Sequence, residues 1–265
     1  MSFTFLVVLY DKSIDESLTF LSIVRNGVAL PNDSELVIWN NGPSSIVIPE
    51  HYLRLLEQLG ISVEFKETLE NLPLSNIYNQ VIENHCSDRF VILDDDSELT
   101  REYLLSLANF SQYEFLVPVL TSGEIRISPN YLFGKNMRFT ALASGLCLSS
   151  KAVGILTQEF GAVFDERFIF YGADSTLCYR CHKLGLEMKV VPGFNHSLSF
   201  KSQREVSEFR KRELSISIGL QLRYYPNLFT LKAIFLYLLG GIRGRGVIKI
   251  KTVFSAFIKG RRDFN

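Results

Sequence analysis

The chain has 265 residues, 28 Lys+Arg against 28 Asp+Glu, and a formal net charge of zero. With 47% hydrophobic and 21% charged residues it can bury a substantial core without disulfide or metal staples. Zero net charge argues against a dedicated nucleic-acid binder, and no nucleic-acid partner is expected.

In chain order, Phe3 to Leu9 is a short apolar run that reads as a buried strand. Ile14, Leu18, Leu21 and Val24 recur at helical spacing and predict a helix over Ser13–Arg25. Leu36 to Trp39 is a second strand, closed by the turn signal Asn40-Asn41-Gly42-Pro43. His51 to Leu59 predicts a helix stopped by Gly60, and Ile61 to Phe65 alternates like a strand. Ile77 to Cys86 follows as a helix and Phe90 to Leu93 as a strand. Leu116 to Leu120 and Ala143 to Leu148 read as strands, Ser175 to Leu184 as a helix, and Glu187 to Val191 as a last strand. From Gln203 the pattern is mostly helical. Strands alternating with helices imply an α/β fold with a parallel sheet.

Four cysteines, Cys86, Cys147, Cys178 and Cys181, are too few for a disulfide framework and point to a reducing compartment. Met1 to Phe5 lacks the basic start of a secretory signal, and none is expected. The longest apolar run, Leu228 to Ile242, is broken by Lys232 and a Gly pair and falls short of the roughly 20 residues of a spanning helix. Cys178-Tyr179-Arg180-Cys181-His182 spells a haem-attachment string, but it sits in a helical pattern with no export signal and no fourth zinc ligand. Two buried thiols on one helical face are the expectation there.

The sharpest chemical feature is Asp94-Asp95-Asp96-Ser97, delivered by the apolar strand before it. Ligands of open α/β sheets bind beyond the C-terminal ends of strands. In an extended chain Asp94 and Asp96 share a face and Asp95 points away. Two hard oxygen ligands on one face suit Mg²⁺ or Mn²⁺. A solvated acidic turn that starts the helix near Thr100 is the alternative. Asp174 ends an aromatic-rich run just before a helix, as a general base or as a helix cap. His196 follows a strand, as a structural group or a metal ligand.

The ordered set Val7-Val8-Leu9-Tyr10, Val37 to Gly42, Leu93 to Ser97, Ser144-Gly145, Phe164-Asp165-Glu166-Arg167-Phe168, Asp174 and His196 resembles the family 2 glycosyltransferases, inverting enzymes of the GT-A fold. The resemblance runs from about Phe5 to His196. It implies a Rossmann-like, mixed, mainly parallel sheet flanked by helices, with residues 1–200 as the catalytic domain. Asp94 and Asp96 then belong to the DxD motif that holds Mg²⁺ or Mn²⁺ on the diphosphate of a nucleotide-sugar donor, with Asp95 beside it. His196 becomes a further metal ligand. Tyr10, Asp11 and Asn40 would hold the nucleotide base and ribose, Ser144 and Gly145 would line the donor sugar, and Asp174 would be the catalytic base. Two departures stand out: Ala173 replaces the first acid of the family's Glu-Asp pair, and Asn40 replaces an acid.

The motif contexts look most like the branch with rhamnosyl- and galactofuranosyltransferases. That implies such a donor sugar, or another hexose, and a role in bacterial surface polysaccharide such as O-antigen or capsule. The implied acceptor is a glycan or an undecaprenyl-linked oligosaccharide at the inner face of the cytoplasmic membrane. Ala173 keeps open a catalytically inactive sugar-nucleotide-binding or scaffold protein. A nucleotidyltransferase also uses paired carboxylates, but residues 8–16 lack its Gly-rich basic loop.

The neutral total charge hides an asymmetry. Residues 1–199 hold 14 basic and 24 acidic side chains, whereas residues 200–265 hold 14 basic and 4 acidic. Val247, Ile250, Val253, Phe254, Phe257 and Ile258 fall on one helical face, flanked by Lys249, Lys251 and Lys259, with Arg243, Arg245, Arg261 and Arg262 at its ends. Together with Leu228–Leu239 this predicts a basic helical region over 201–265. Either it meets an anionic membrane surface, which makes the protein cytoplasmic and peripheral, or it packs as a lid.

Overall fold

The computed structural model describes residues 1–31, 33–131, 139–197, 207–226, 228, 231, 232, 235 and 248–260. Four strands open the chain: β1 (Phe3–Leu9), β2 (Ser34–Asn40), β3 (Ser62–Glu67) and β4 (Arg89–Asp94). They are linked through helices α1 (Leu18–Asn26), α2 (Glu50–Gln58) and α3 (Leu74–Asn84). There follow β5 (Ser97–Glu98), α4 (Arg101–Asn109), β6 (Phe115–Ser122), β7 (Ile125–Ser128), β8 (Asn130–Tyr131) and β9 (Phe139–Thr140). Next come β10 (Leu146–Ser149), α5 (Ser150–Phe160), α6 (Ala173–Lys183), β11 (Met188–His196), α7 (Glu208–Tyr224) and α8 (Ile250–Lys259).

Nine strands form one sheet in the order β3-β2-β1-β4-β10-β6-β11-β5, with β7 beside β6. β3, β2, β1, β4, β6 and β11 share one direction, and β10, β5 and β7 oppose it. β8 and β9 pair separately. The sheet is mixed and mainly parallel, as expected. Strand alternation sorts the core into two layers. Phe3, Phe5, Val7 and Leu9 pack under α1, α2 and α4, with Phe20, Leu56 and Leu107. Leu6 and Val8 face α3, α5, α6 and α7, with Ile77, Leu156, Leu177 and Leu220. Both faces of β1 are covered, which is why its sequence is an unbroken apolar run.

Three differences from the sequence reading have local causes. Ser13–Arg25 is not one helix: a turn of 3-10 helix over Ile14–Glu16 precedes α1. The break falls at Ser17, whose Oγ accepts from the Phe20 N–H (3.1 Å) and so caps α1. Ser144 and Gly145 precede β10 rather than lying in it, because Leu146 N–H bonds back to the Ala143 carbonyl (3.0 Å) in a turn. α5 has no counterpart among the expected elements; Ser149 caps it through the Ala152 N–H (3.1 Å).

β1 connects outward to β2 and β3, while β4 enters on the other side of β1. The strand order therefore reverses between β1 and β4, and a crevice opens beyond their C-terminal ends. Tyr10 and Asp94 stand at that crevice. At the other end of the chain α7 joins the main core through Ile216 and Leu220. α8 crosses α7 at Gly219, where a Cβ would lie 2.4 Å from the Val253 carbonyl oxygen. Val253 and Ala256 are buried in that crossing, while Ile250, Phe254, Phe257 and Ile258 remain exposed. The expected single apolar face is thus divided between an inner and an outer surface. Arg243, Arg245, Val247, Arg261, Arg262 and most of Leu228–Leu239 lie outside the described residues.

Candidate active site

The carboxylate turn is held from beneath by the start of α1. Thr19 Oγ1 donates to the Asp94 carbonyl (2.5 Å), and Ser17 Oγ donates to the Asp95 carbonyl (3.1 Å). The Ser97 N–H in turn donates to Thr19 Oγ1 (2.9 Å). The Asp95 side chain is directed to the end of β1. It accepts from Lys12 Nζ (2.5 Å) and from the Tyr10 N–H (3.3 Å). Asp94 and Asp96 converge instead, although β4 ends at Asp94 and Asp95–Asp96 form a turn, so the extended-chain alternation expected from the sequence is not what pairs them. Ligand atoms of Asp94, Asp96 and His196 all lie within 4.8 Å of one another.

His196 ends β11 and is 6% exposed. Its Nδ1 lies 2.9 Å from Ser97 Oγ and 3.2 Å from Asp96 Oδ1. Burial pushes the imidazole pKa down, so the ring is neutral near pH 7 and keeps a lone pair. The carboxylates are pushed the other way. Asp94 rises to about 8 through burial, then through the charges of Asp96, Asp95 and Asp174. Asp96 rises to about 6 through burial and Asp95. Asp96 Oδ1 is buried with no hydrogen-bond partner among the described residues. Crowded carboxylates, a neutral imidazole and an orphaned oxygen are what a divalent cation would satisfy. The donor set fits Mg²⁺ or Mn²⁺.

Asp174 lies in the first turn of α6, but it is not the helix cap: that position is Gly172, with φ 92°. A Cβ on Gly172 would lie 2.5 Å from Ser217 Oγ of α7, so this turn needs glycine for conformation and for space. Asp174 Oδ1 accepts from the Ser175 N–H (2.7 Å) and hydroxyl (3.2 Å). Burial raises its pKa, while the Ser175 bonds oppose the shift. Its charge reaches Asp94 and also Tyr78, whose buried hydroxyl has no partner among the described residues. The loop before α6 is anchored by Asp165, which accepts two bonds from the Arg167 guanidinium (2.8 and 2.6 Å), one from the Arg167 N–H (3.1 Å) and one from the Tyr225 hydroxyl (2.6 Å). Arg180 Nη2 lies 3.4 Å from the same carboxylate.

A cavity of about 570 Å³ occupies the crevice. Tyr10, Asp94, Asp95, Asp96 and His196 line it. The other expected residues stand off its surface. Asp11 is exposed, with φ 53°. Asn40 is buried, and its amide donates to the Ser44 carbonyl (2.8 Å) and to Glu67 (2.8 Å); the next residue, Asn41, reaches the cavity instead. Ser144 and Gly145 lie buried behind Asp94, where Ser144 Oγ accepts from the Asp94 N–H (3.2 Å) and the Gly145 carbonyl accepts from the Tyr103 hydroxyl (2.9 Å). Asp174 is half-buried and is not among the residues that line the cavity. The structure adds residues to which the sequence assigned no role: Asn41, Phe170 and Tyr171 from within the quoted motifs, and Lys12, Asn71, Tyr78, Phe209 and Arg210 from outside them. Arg210 belongs to a visible basic cluster, Arg210-Lys211-Arg212, but nothing in its spacing assigns it to this cavity.

Cys178 and Cys181 are buried, and among the described residues no metal-competent group includes them. A second such group, Glu35, Glu64 and His85, ties the end of α3 to β2 and β3. His85 Nε2 lies 2.8 Å from Glu64, and Nδ1 lies 2.8 Å from the Val81 carbonyl.

No protein-family profile matches the chain, and no curated protein matches its sequence. Solved structures do match. S. aureus TarS 1-349 in complex with UDP-GlcNAc is 15% identical over 99% of this chain and 82% of that one, with a TM-score of 0.58. The mannosyltransferase PcManGT from Pyrobaculum calidifontis, in complex with GDP-Man and Mn²⁺, is 13% identical over 97% of this chain and 74% of that one, with a TM-score of 0.56. A longer S. aureus TarS structure is 12% identical with a TM-score of 0.56; it matches 98% of this chain, which spans only 54% of it. The shared architecture is that of GT-A glycosyltransferases.

Proposed function

We propose that this chain is an inverting, divalent-metal-dependent glycosyltransferase that moves a sugar from a nucleotide-sugar donor to a glycan or lipid-linked acceptor. One observation carries the reading: Asp94, Asp96 and His196 converge within 4.8 Å where the strand order reverses. The similar structures named above were solved with UDP-GlcNAc and with GDP-Man and Mn²⁺, which supports a nucleotide-sugar as the ligand class.

Bound at Asp94, Asp96 and His196, Mg²⁺ or Mn²⁺ would supply Lewis-acid neutralisation of the donor diphosphate. Lys12 engages Asp95, which leaves Asp94 and Asp96 as the acids directed at the ion. Tyr10, 47% exposed at the cavity, offers a ring to the nucleotide base. Asp174 takes the proton of the acceptor hydroxyl as that oxygen attacks the anomeric carbon. The new C–O bond forms opposite the breaking one, whose electron pair leaves with the nucleotide diphosphate. A base with an upward-shifted pKa is better matched to this transfer near neutral pH. The donor we propose is a rhamnosyl, galactofuranosyl or other hexosyl nucleotide, and the product belongs to a bacterial surface polysaccharide. The test is a panel of nucleotide-sugars scored for Mn²⁺-dependent nucleotide release. No release from any member, with Mn²⁺ bound, would sink the reading.

The same proposal divides the labour at about residue 200. Residues 201–265 would hold the enzyme on the inner face of the cytoplasmic membrane. Phe254 and Ile258 of α8 are 62% and 67% exposed, beside exposed Lys251. Basic residues near anionic lipid contribute about 1 kcal/mol each. No helix among the described residues is long and apolar enough to cross a membrane. Flotation with anionic liposomes should lose the chain truncated after Tyr225; equal flotation of both forms would remove the anchor.

A further inference from the structure

We propose that Arg210 is an anion-binding subsite for the acceptor, and that the acceptor carries a phosphate close to the hydroxyl being glycosylated. This rests on the glycosyltransferase reading and adds the chemical class of the second substrate.

Arg210 is the one Lys or Arg among the described residues that line the cavity. Its guanidinium makes no hydrogen bond or ion pair with any described residue. The other cations of α7, and Lys249 just before α8, are engaged. Lys211 pairs with Glu208 (2.9 Å), Lys249 pairs with Glu208 (2.7 Å), and Arg223 donates to the Phe257 and Ile258 carbonyls (2.8 Å each). No ion pair joins Arg210 to the acids that share its cavity: Asp95 is engaged by Lys12, and Asp94 and Asp96 converge with His196 as the proposed cation ligands. A planar guanidinium on the cavity lining, engaged by no described residue, is suited to bidentate capture of phosphate.

Its position favours the acceptor over the donor. Arg210 lies in the first turn of α7, where its N–H donates to the Ser207 cap (3.3 Å). Beside it Phe209, 56% exposed, meets Phe170 edge-on with ring centroids 5.5 Å apart. Tyr171 feels the Arg210 charge, which opposes the burial that raises its pKa. Phe170 and Tyr171 lead directly into the turn that carries Asp174. Arg210 thus stands with the residues next to the base, whereas Tyr10 and Asn41 come from the ends of β1 and β2. The aromatic rings present apolar surface for the C–H face of a sugar, and the guanidinium meets a negative group attached to it.

The two phosphate sources, acceptor and donor, are separated by binding measurements on the full chain. sn-Glycerol 3-phosphate is the acceptor-like probe, glycerol its uncharged control, and UDP and GDP with Mg²⁺ are the donor-like probes. Phosphate binding is followed by NMR titration and nucleotide binding by calorimetry, for wild type, Arg210→Gln and Arg210→Lys, with thermal melts confirming that each variant folds. The expected result is at least a tenfold loss of glycerol phosphate affinity in Arg210→Gln, partial recovery in Arg210→Lys, and UDP and GDP affinities within twofold of wild type. Glycerol phosphate binding that is absent in wild type, or unchanged by Arg210→Gln, overturns the subsite. An equal loss of nucleotide affinity overturns the acceptor assignment. Failure of wild type to bind either nucleotide overturns the transferase reading and the acceptor role with it.

Discussion

Replacing Asp96 with Asn should stabilise the metal-free protein and abolish its stabilisation by metal. In the folded chain Asp96 titrates near about 6 rather than 3.8, because it is buried beside Asp95. The folded state therefore holds more protons than the unfolded state between those two values. Stability falls as pH rises through that window, and the whole penalty is in force at pH 8. A shift of roughly two pKa units corresponds to about 3 kcal/mol as an upper bound. Asp94, near about 8, extends the same slope to higher pH. Asn keeps the shape, removes the charge, and brings an N–H₂ toward His196 Nδ1, now 3.2 Å from Asp96 Oδ1. In EDTA at pH 8, Asp96→Asn should melt on the order of 5 °C above wild type, since 1 kcal/mol moves Tm by about 2–4 °C in a chain of this size. Added Mn²⁺ should reverse the order. At a hundredfold excess over Kd an ion adds about 2.7 kcal/mol to the protein that binds it. Wild type should gain most of that and Asp96→Asn little. Differential scanning calorimetry at pH 6 and pH 8, with EDTA or Mn²⁺, reads all of this. A variant that melts below wild type in EDTA at pH 8, yet keeps the full Mn²⁺ shift, would refute the reasoning.

Three further substitutions probe the supports of the site. Asp174→Asn should lower kcat by about 10²–10⁴-fold with donor affinity unchanged, measured by single-turnover kinetics beside calorimetry; near-normal turnover removes the base assignment. Tyr225→Phe deletes the hydroxyl that bonds Asp165 (2.6 Å) and Arg180 (3.0 Å), and should cost about 1–3 kcal/mol in urea unfolding. Gly172→Ala forces an L side chain to φ 92° and into Ser217 Oγ, so a loss of about 1–3 kcal/mol is expected by the same assay. A neutral result there would show that the α6–α7 junction relaxes freely.

The sheet was legible because β1, β2 and β4 are buried on both faces and so carry unbroken apolar runs. The expected pairing of Asp94 with Asp96 rested on extended chain, whereas β4 ends at Asp94 and a turn over Asp95–Asp96 brings the two carboxylates together. Asn40 shows where such reading runs out. β2 ends at Asn40, whose amide closes the loop onto Glu67, and the following residue, Asn41, reaches the cavity. Both asparagines are buried and bonded within the loop, so which of them borders the cavity is set by one residue of register that composition cannot resolve. Lys12 and Arg210 were not legible for another reason. Each acts through tertiary placement: Lys12 across the β1–β4 crevice on Asp95, and Arg210 from a helix beyond the sheet. α5 escaped because Gly154 and few buried residues, Ala152 and Leu156, leave its apolar period weak.

The central claim is that Asp94, Asp96 and His196 hold a divalent cation that in turn holds a nucleotide diphosphate. Calorimetric titration of UDP and GDP into the full chain, with Mn²⁺ and then with EDTA, tests it most directly. At least one nucleotide should bind with Mn²⁺, EDTA should weaken it by about two orders of magnitude, and His196→Ala should reproduce much of that loss. Equal binding in EDTA, or binding that His196→Ala leaves untouched, would contradict it.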